Sequence, residues 1–145
     1  MKVVLQRVLS AAVSVDGRTT GAIGPGYLLL VGLAAGDDEN TVRRLAADIF
    51  KARLMSDAQG KMGVNLRDAG GQALAVSQFT LLADFSKGNR PSFNGAAKPE
   101  VAKPLFDLFV WELSDLLGGP VPTGVFGADM RVELVNDGPV TVVLE

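Results

Sequence analysis

The sequence predicts an α/β fold: a layered α/β/β domain, strand-rich, with mixed sheets and two main helices. Three observations predict it. Short apolar runs separated by turn signals fill residues 1–35, and two stretches, 39–53 and 99–117, carry apolar residues at helical spacing. The tail alternates apolar and polar residues from Met130 to Leu144. With 145 residues and no repeat, linker or low-complexity stretch, the chain reads as one domain over 1–145.

Val3, Val4, Leu5 and Val8 define a strand over 2–8; Ala11, Val13 and Val15 alternate with Ser14 and Asp16 in another over 11–16. Asp16-Gly17 is a hairpin turn signal, followed by a short strand from Thr19 to Ile23. Gly24-Pro25-Gly26 is a second turn, and Tyr27–Leu33 is continuously apolar, as a strand covered on both faces should be. These segments are expected to form a β-meander. Asp37, Asp38 and Glu39 place negative charge at the start of a helix over 39–53, whose stripe is Val42, Leu45, Ala46, Ile49 and Phe50. Residues 54–71, rich in Gly and Asp, form a loop or hairpin, and Ala73–Val76 reads as a buried strand. A second helix starts at Pro99 or Pro104 and is stopped by Gly118-Gly119-Pro120. Its stripe is Leu105, Leu108, Phe109, Leu113, Leu116 and Leu117, with Trp111 lying off it. Two final strands flank Asn136-Asp137-Gly138.

What the chain lacks narrows its chemistry. There is no histidine and no cysteine. The commonest general base, the commonest metal ligand and the thiolate nucleophile are therefore all missing. Disulfides and the usual zinc sites are excluded, and neither a metal nor a cofactor is expected. Catalysis must use Ser, Thr, Lys, Asp, Glu or Tyr27, backbone donors, or groups brought by the substrate. A net charge of −2 and a pI near 5.1 argue against DNA and against broad nucleic-acid affinity. No apolar run reaches membrane-spanning length, and Gln6-Arg7 interrupts the first one too early for a signal peptide, so a cytoplasmic protein is expected.

Two stretches carry candidate chemistry. Val76-Ser77-Gln78-Phe79-Thr80-Leu81 closes a buried strand with polar groups, at the kind of strand end where a scaffold aims side chains into a cleft. Thr80 reads as a strand-end threonine satisfying local backbone, or as a nucleophile, for which no base stands nearby in the sequence. Alternatively, Phe79 and Thr80 offer backbone N–H groups to a developing oxyanion. Phe79 is either core or a ring face for stacking a base, whose polar edge Ser77 and Gln78 can read. Asn136-Asp137-Gly138-Pro139-Val140-Thr141 breaks the apolar tail with a Gly-Pro step that is either a plain turn or a rigid corner. Lys87-Gly88-Asn89-Arg90-Pro91-Ser92-Phe93 is either a solvated surface loop or a phosphate-contacting one through Lys87 and Arg90.

Taken together, these motifs resemble the D-aminoacyl-tRNA deacylases, which clear D-amino acids from mischarged tRNA. The resemblance rests on Leu5-Gln6-Arg7-Val8, Gly21–Gly26, Ser77–Leu81, Lys87–Phe93, Phe126-Gly127-Ala128 and Asn136–Thr141, and it runs nearly end to end. Where the family often has Met-Asn-Leu-Ser, this chain has Met62-Gly63-Val64-Asn65, and Asn89 stands where a basic residue is common. The resemblance implies a homodimer acting on the aminoacyl-tRNA acceptor end, with no membrane partner. It implies that Gly138-Pro139 is cis and enters the partner's active site as a chirality filter, braced by Arg7. Ser77, Gln78, Phe79 and Thr80 would hold the terminal adenosine, and the vicinal ribose 2′-OH would assist hydrolysis. Two rivals remain: a Thr80 acyl-enzyme, and a noncatalytic module that binds tRNA ends.

Overall fold

The sheet is assembled around β1 (Lys2–Val15), in a computed structural model that describes residues 1–145. β2 (Arg18–Ile23) pairs antiparallel with residues 11–15 of β1, and β3 (Gly26–Gly32) with residues 2–8. Both therefore lie on one edge of β1, while β7 (Arg131–Leu144) runs antiparallel along the other. β6 (Gln72–Ser77) joins β3 in parallel, which makes the sheet mixed. β4 (Met55–Ser56) and β5 (Met62–Val64) form a separate hairpin, and α1 (Glu39–Lys51) and α2 (Pro99–Leu117) complete the domain. No helix is long and apolar enough to cross a membrane.

The strand-rich mixed architecture with two helices is as expected; the β-meander is not. A meander would put β2 between β1 and β3. Instead Gly24-Pro25 interrupts the return path without turning it away, because Pro25 has no N–H to give a ladder. At Gly26 (φ +157°) a Cβ would overlap the Gln72 carbonyl, so only glycine lets β6 come alongside.

The separate strands expected over 2–8 and 11–16 are one strand with a bulge. Pairing with β7 shifts register between Val8 and Ser10, leaving Leu9 53 % exposed. A bulge moves the alternation by one residue. Val3 and Leu5 thus face the larger core, whereas Val8, Ala11 and Val13 face a smaller one. β3 and β6 divide the same way: Tyr27, Leu29, Val31, Ala73 and Ala75 belong to the larger cluster, Leu28, Leu74 and Val76 to the smaller. Burial on both faces explains why their sequence is continuously apolar.

α1 and α2 close the larger core with Val42, Leu45, Ile49, Phe109 and Leu113. Asp38 caps α1 by accepting the Thr41 N–H at 2.9 Å. α1 ends at Lys51, two residues before the expected boundary, because Ala52 is extended and carries the Leu54 carbonyl to Arg7. α2 begins at Pro99, where a missing N–H costs nothing, and runs through Pro104 to a left-handed Gly118 cap (φ 72°). Trp111 is 62 % exposed, off the buried stripe.

The two expected tail strands are halves of β7. Asn136 pairs with Val8 and Thr141 with Gln6, so residues 137–140 stand opposite Arg7 alone and loop out as a corner.

Candidate active site

β6 ends at Ser77, at the carboxyl end of the parallel pair with β3, the sheet position where ligands tend to sit. The Gln78 N–H still reaches the Val31 carbonyl at 2.7 Å; the chain then tightens into a 3₁₀ turn over Phe79–Leu82. That turn packs onto β3 because Gly32 has no side chain: a Cβ there would lie 2.6 Å from Leu82 Cδ2 and 3.0 Å from the Gln78 carbonyl oxygen. Phe79 and Thr80 are the first two residues of the turn, so their N–H groups have no acceptor within it.

Ser77, Gln78, Phe79 and Thr80 form one wall of a cleft of about 510 Å³. Phe93, Ala96–Pro99, Phe126–Ala128 and Met130 continue the lining, together with Val31 and Leu33. The segment around residue 96 is tied to the chain just after β3 by Ala97 N–H to the Leu33 carbonyl (2.9 Å) and Ala35 N–H to the Gly95 carbonyl (2.8 Å). The Phe79 ring is 58 % exposed and meets Phe93 edge-on, centroids 5.0 Å apart at 71°, leaving a ring face for a planar ligand. The Thr80 hydroxyl receives the Gln78 amide at 3.2 Å. Lys98 is the one charged residue in the lining, and no carboxylate faces Thr80. The cleft can stack a base, read polar edges and offer backbone donors, but its lining has no carboxylate, histidine or cysteine.

A second cavity, about 240 Å³, lies on the other side of the same wall and is lined by Leu82, Asp84, Lys87, Arg90, Ser92, Asn94 and Gly95.

The β7 corner is built separately. The Gly138-Pro139 peptide is cis, and both residues are exposed. Asn136 straddles the corner, its Oδ1 accepting the Val140 N–H (2.9 Å) and its Nδ2 donating to the Val140 carbonyl (3.2 Å). Arg7 grips it from β1: Nε donates to the Asp137 carbonyl (3.0 Å) and Nη1 to the Leu54 carbonyl (2.9 Å). The Asp137 carboxylate lies 3.4 Å from Nε. The family model described as D-Tyr-tRNA(Tyr) deacylase matches residues 4–145.

The chain belongs to the D-Tyr-tRNA(Tyr) deacylase family. It is 57 % identical over 145 residues to the D-aminoacyl-tRNA deacylase of Chromobacterium violaceum, and 54 % identical to that of Dechloromonas aromatica. Each alignment covers 100 % of this chain and 97 % of the relative. Among solved structures it resembles the c-Myc DNA Unwinding Element Binding Protein, with a TM-score of 0.92 and 36 % identity over 100 % of this chain and 98 % of that one. A probable eukaryotic D-amino acid tRNA deacylase shares the fold, with a TM-score of 0.85 at 17 % identity over 99 % and 97 % of the two chains.

Within this deacylase-family chain, Ser77 to Thr80 meet in the cleft, whereas Lys87 and Arg90 line the neighbouring cavity. Gly138, Pro139 and Arg7 line neither of the two. Arg7 is buried, and its pairing with the Asp137 carboxylate is one part of a set of contacts that includes two backbone carbonyls. Sequence reasoning missed Gly32, Ala96–Pro99 and Met130. Gly32 gives no signal because its need is set by a turn some fifty residues later. Pro99 was assigned to α2, and nothing in its periodicity indicates that the residues before it line the same cleft as Phe79.

Proposed function

We propose that the protein hydrolyses the ester bond of D-aminoacyl-tRNA, releasing free D-amino acid and tRNA, and clears glycyl-tRNA mischarged on tRNA(Ala) in the same way. The observation that carries this reading is the cleft itself: a stacking ring and two unpaired backbone donors at a strand end, with no carboxylate beside Thr80. Full-length likeness to the two curated bacterial deacylases supports the substrate class.

Water attacks the ester carbonyl, and the tetrahedral oxyanion is held by the Phe79 and Thr80 N–H groups. The 3′-oxygen then leaves with a proton relayed through the neighbouring 2′-OH, and Phe79 stacks under the adenine. Ser77 and Gln78 hold the nucleoside edge. The working form is a homodimer in the cytoplasm. Gly138 and Pro139 of one subunit enter the cleft of the other and exclude the side chain of an L-residue by contact; glycine and D-residues leave that wall clear. Asn136 and Arg7 keep the corner stiff, which suits such a role.

Incubation with paired D- and L-aminoacyl-tRNAs tests the reading: free amino acid appears from the D-substrate alone. Release from neither, or from both at equal rates, overturns it. Thr80→Ala should lose far less than the ~10⁴-fold expected on removing an essential proton-transfer group. A substrate ending in 2′-deoxyadenosine should be cleaved poorly, and normal cleavage would remove the 2′-OH from the mechanism.

A further inference from the structure

The second cavity is a built feature. Asp84 and Ser92 exchange both backbone hydrogen bonds at 2.8 Å, pinching residues 85–91 into a loop closed at its neck. Lys87 and Arg90 are both exposed and make no hydrogen bond or ion pair with the rest of the protein, while Asn94 adds an amide. The only acid in the lining, Asp84, spends its carboxylate inside the loop, on the Ser86 N–H (2.9 Å) and hydroxyl (3.0 Å). Those bonds hold its pKa below the ordinary carboxylate range, so the lining carries a fixed charge of about +1 near neutral pH.

Position gives these cations a use. Phe93 faces the main cleft, while its neighbours Ser92 and Asn94 face the second cavity; Phe79 and Leu82 divide in the same way. One thin wall therefore separates the adenosine cleft from the cationic cavity. We infer that the second cavity is a phosphate subsite that takes the backbone of the unpaired nucleotides preceding the terminal adenosine. Arg90 offers a planar fork for phosphate oxygens, Lys87 a point charge and Asn94 an amide donor. This inference rests on the deacylase reading for the identity of the strand. It adds that the enzyme holds a single-stranded RNA end rather than a nucleoside alone.

The test compares binding of the trinucleotide CpCpA with binding of adenosine, in the wild type and in the double variant Lys87→Ala/Arg90→Ala. Neither side chain makes an internal contact that folding needs, and an unchanged melting temperature checks this. Wild type should bind CpCpA more tightly than adenosine. The double variant should bind CpCpA at least tenfold more weakly, with its log–log salt slope reduced by about 1.4 for two lost phosphate contacts. Its affinity for adenosine should change less than twofold. Equal CpCpA binding by the two proteins overturns the subsite, as does an equal loss for both ligands or a wild type that does not prefer CpCpA. Because binding is read without hydrolysis, failure here is distinct from failure to release D-amino acids.

Discussion

Arg7 is the one charged side chain among the buried residues, only 8 % exposed. A buried charge is tolerated only when its donors are satisfied. Here they are, by two backbone carbonyls, the Asp137 carboxylate and Ser56 Oγ at 3.4 Å. Arg7→Ala would strip the Leu54 and Asp137 carbonyls of this donor, and should destabilise the fold by about 1–3 kcal/mol in urea denaturation. Arg7→Lys should recover only part of that, because an ammonium cannot reproduce the planar fork. Tyr27 gives a prediction in pH. Burial raises its phenol pKa, while a backbone hydrogen bond at Leu54 and the charge of Arg7 pull it partly back. A raised folded pKa favours the neutral phenol, so its contribution is complete below the unfolded value of about 10 and is lost as pH rises past it. Urea midpoints between pH 9 and 11 should fall in the wild type and fall less steeply in Tyr27→Phe.

Among the elements, the join between β3 and the 3₁₀ turn matters most for the cleft. Gly32→Ala places a methyl against the Gln78 carbonyl and Leu82, moving the turn rather than the sheet, which is fixed by β1 and β6. It should lower deacylation by tenfold or more with a far smaller effect on melting temperature; a normal rate would show that the turn need not sit there. Phe109→Ala in α2 should behave oppositely, costing about 3–5 kcal/mol of stability. The helices and strands were legible because their periods are written locally. Val42, Leu45 and Ile49 announce a helix, and Tyr27–Leu33 announces a doubly covered strand. Which edge of β1 each strand takes was not legible, since edge choice depends on partners over a hundred residues away. Leu9-Ser10 read as a gap because a bulge and a strand break interrupt alternation alike. The Ser77–Thr80 wall was readable as a motif; the rest of the lining comes from three distant segments that share no pattern.

At the scale of the whole molecule, the corner and the cleft do not share a cavity within one chain. A cross-subunit site predicts complementation. A cleft variant such as Phe79→Ala, mixed after unfolding with a corner variant such as Gly138→Val, whose added side chain would obstruct the cleft it enters, should regain about one quarter of wild-type activity. Half of randomly reassorted dimers are mixed, and each of those holds one intact site of two. Activity no greater than that of the separate variants, from mixed dimers verified by mass, would place the corner outside the site. The position of β1 between β3 and β7 has a further consequence for synthesis. Its partners on one edge, β2 and β3, follow it directly in the chain, but β7 on the other edge is made after every other strand. Until then one flank of the opening strand, and the apolar side chains of Val8 and Val13 that Met130 and Val132 help to cover, have no cover from β7. The nascent polypeptide therefore carries a sticky, half-zipped edge through most of translation, a hazard inherent in pairing that spans nearly the full chain.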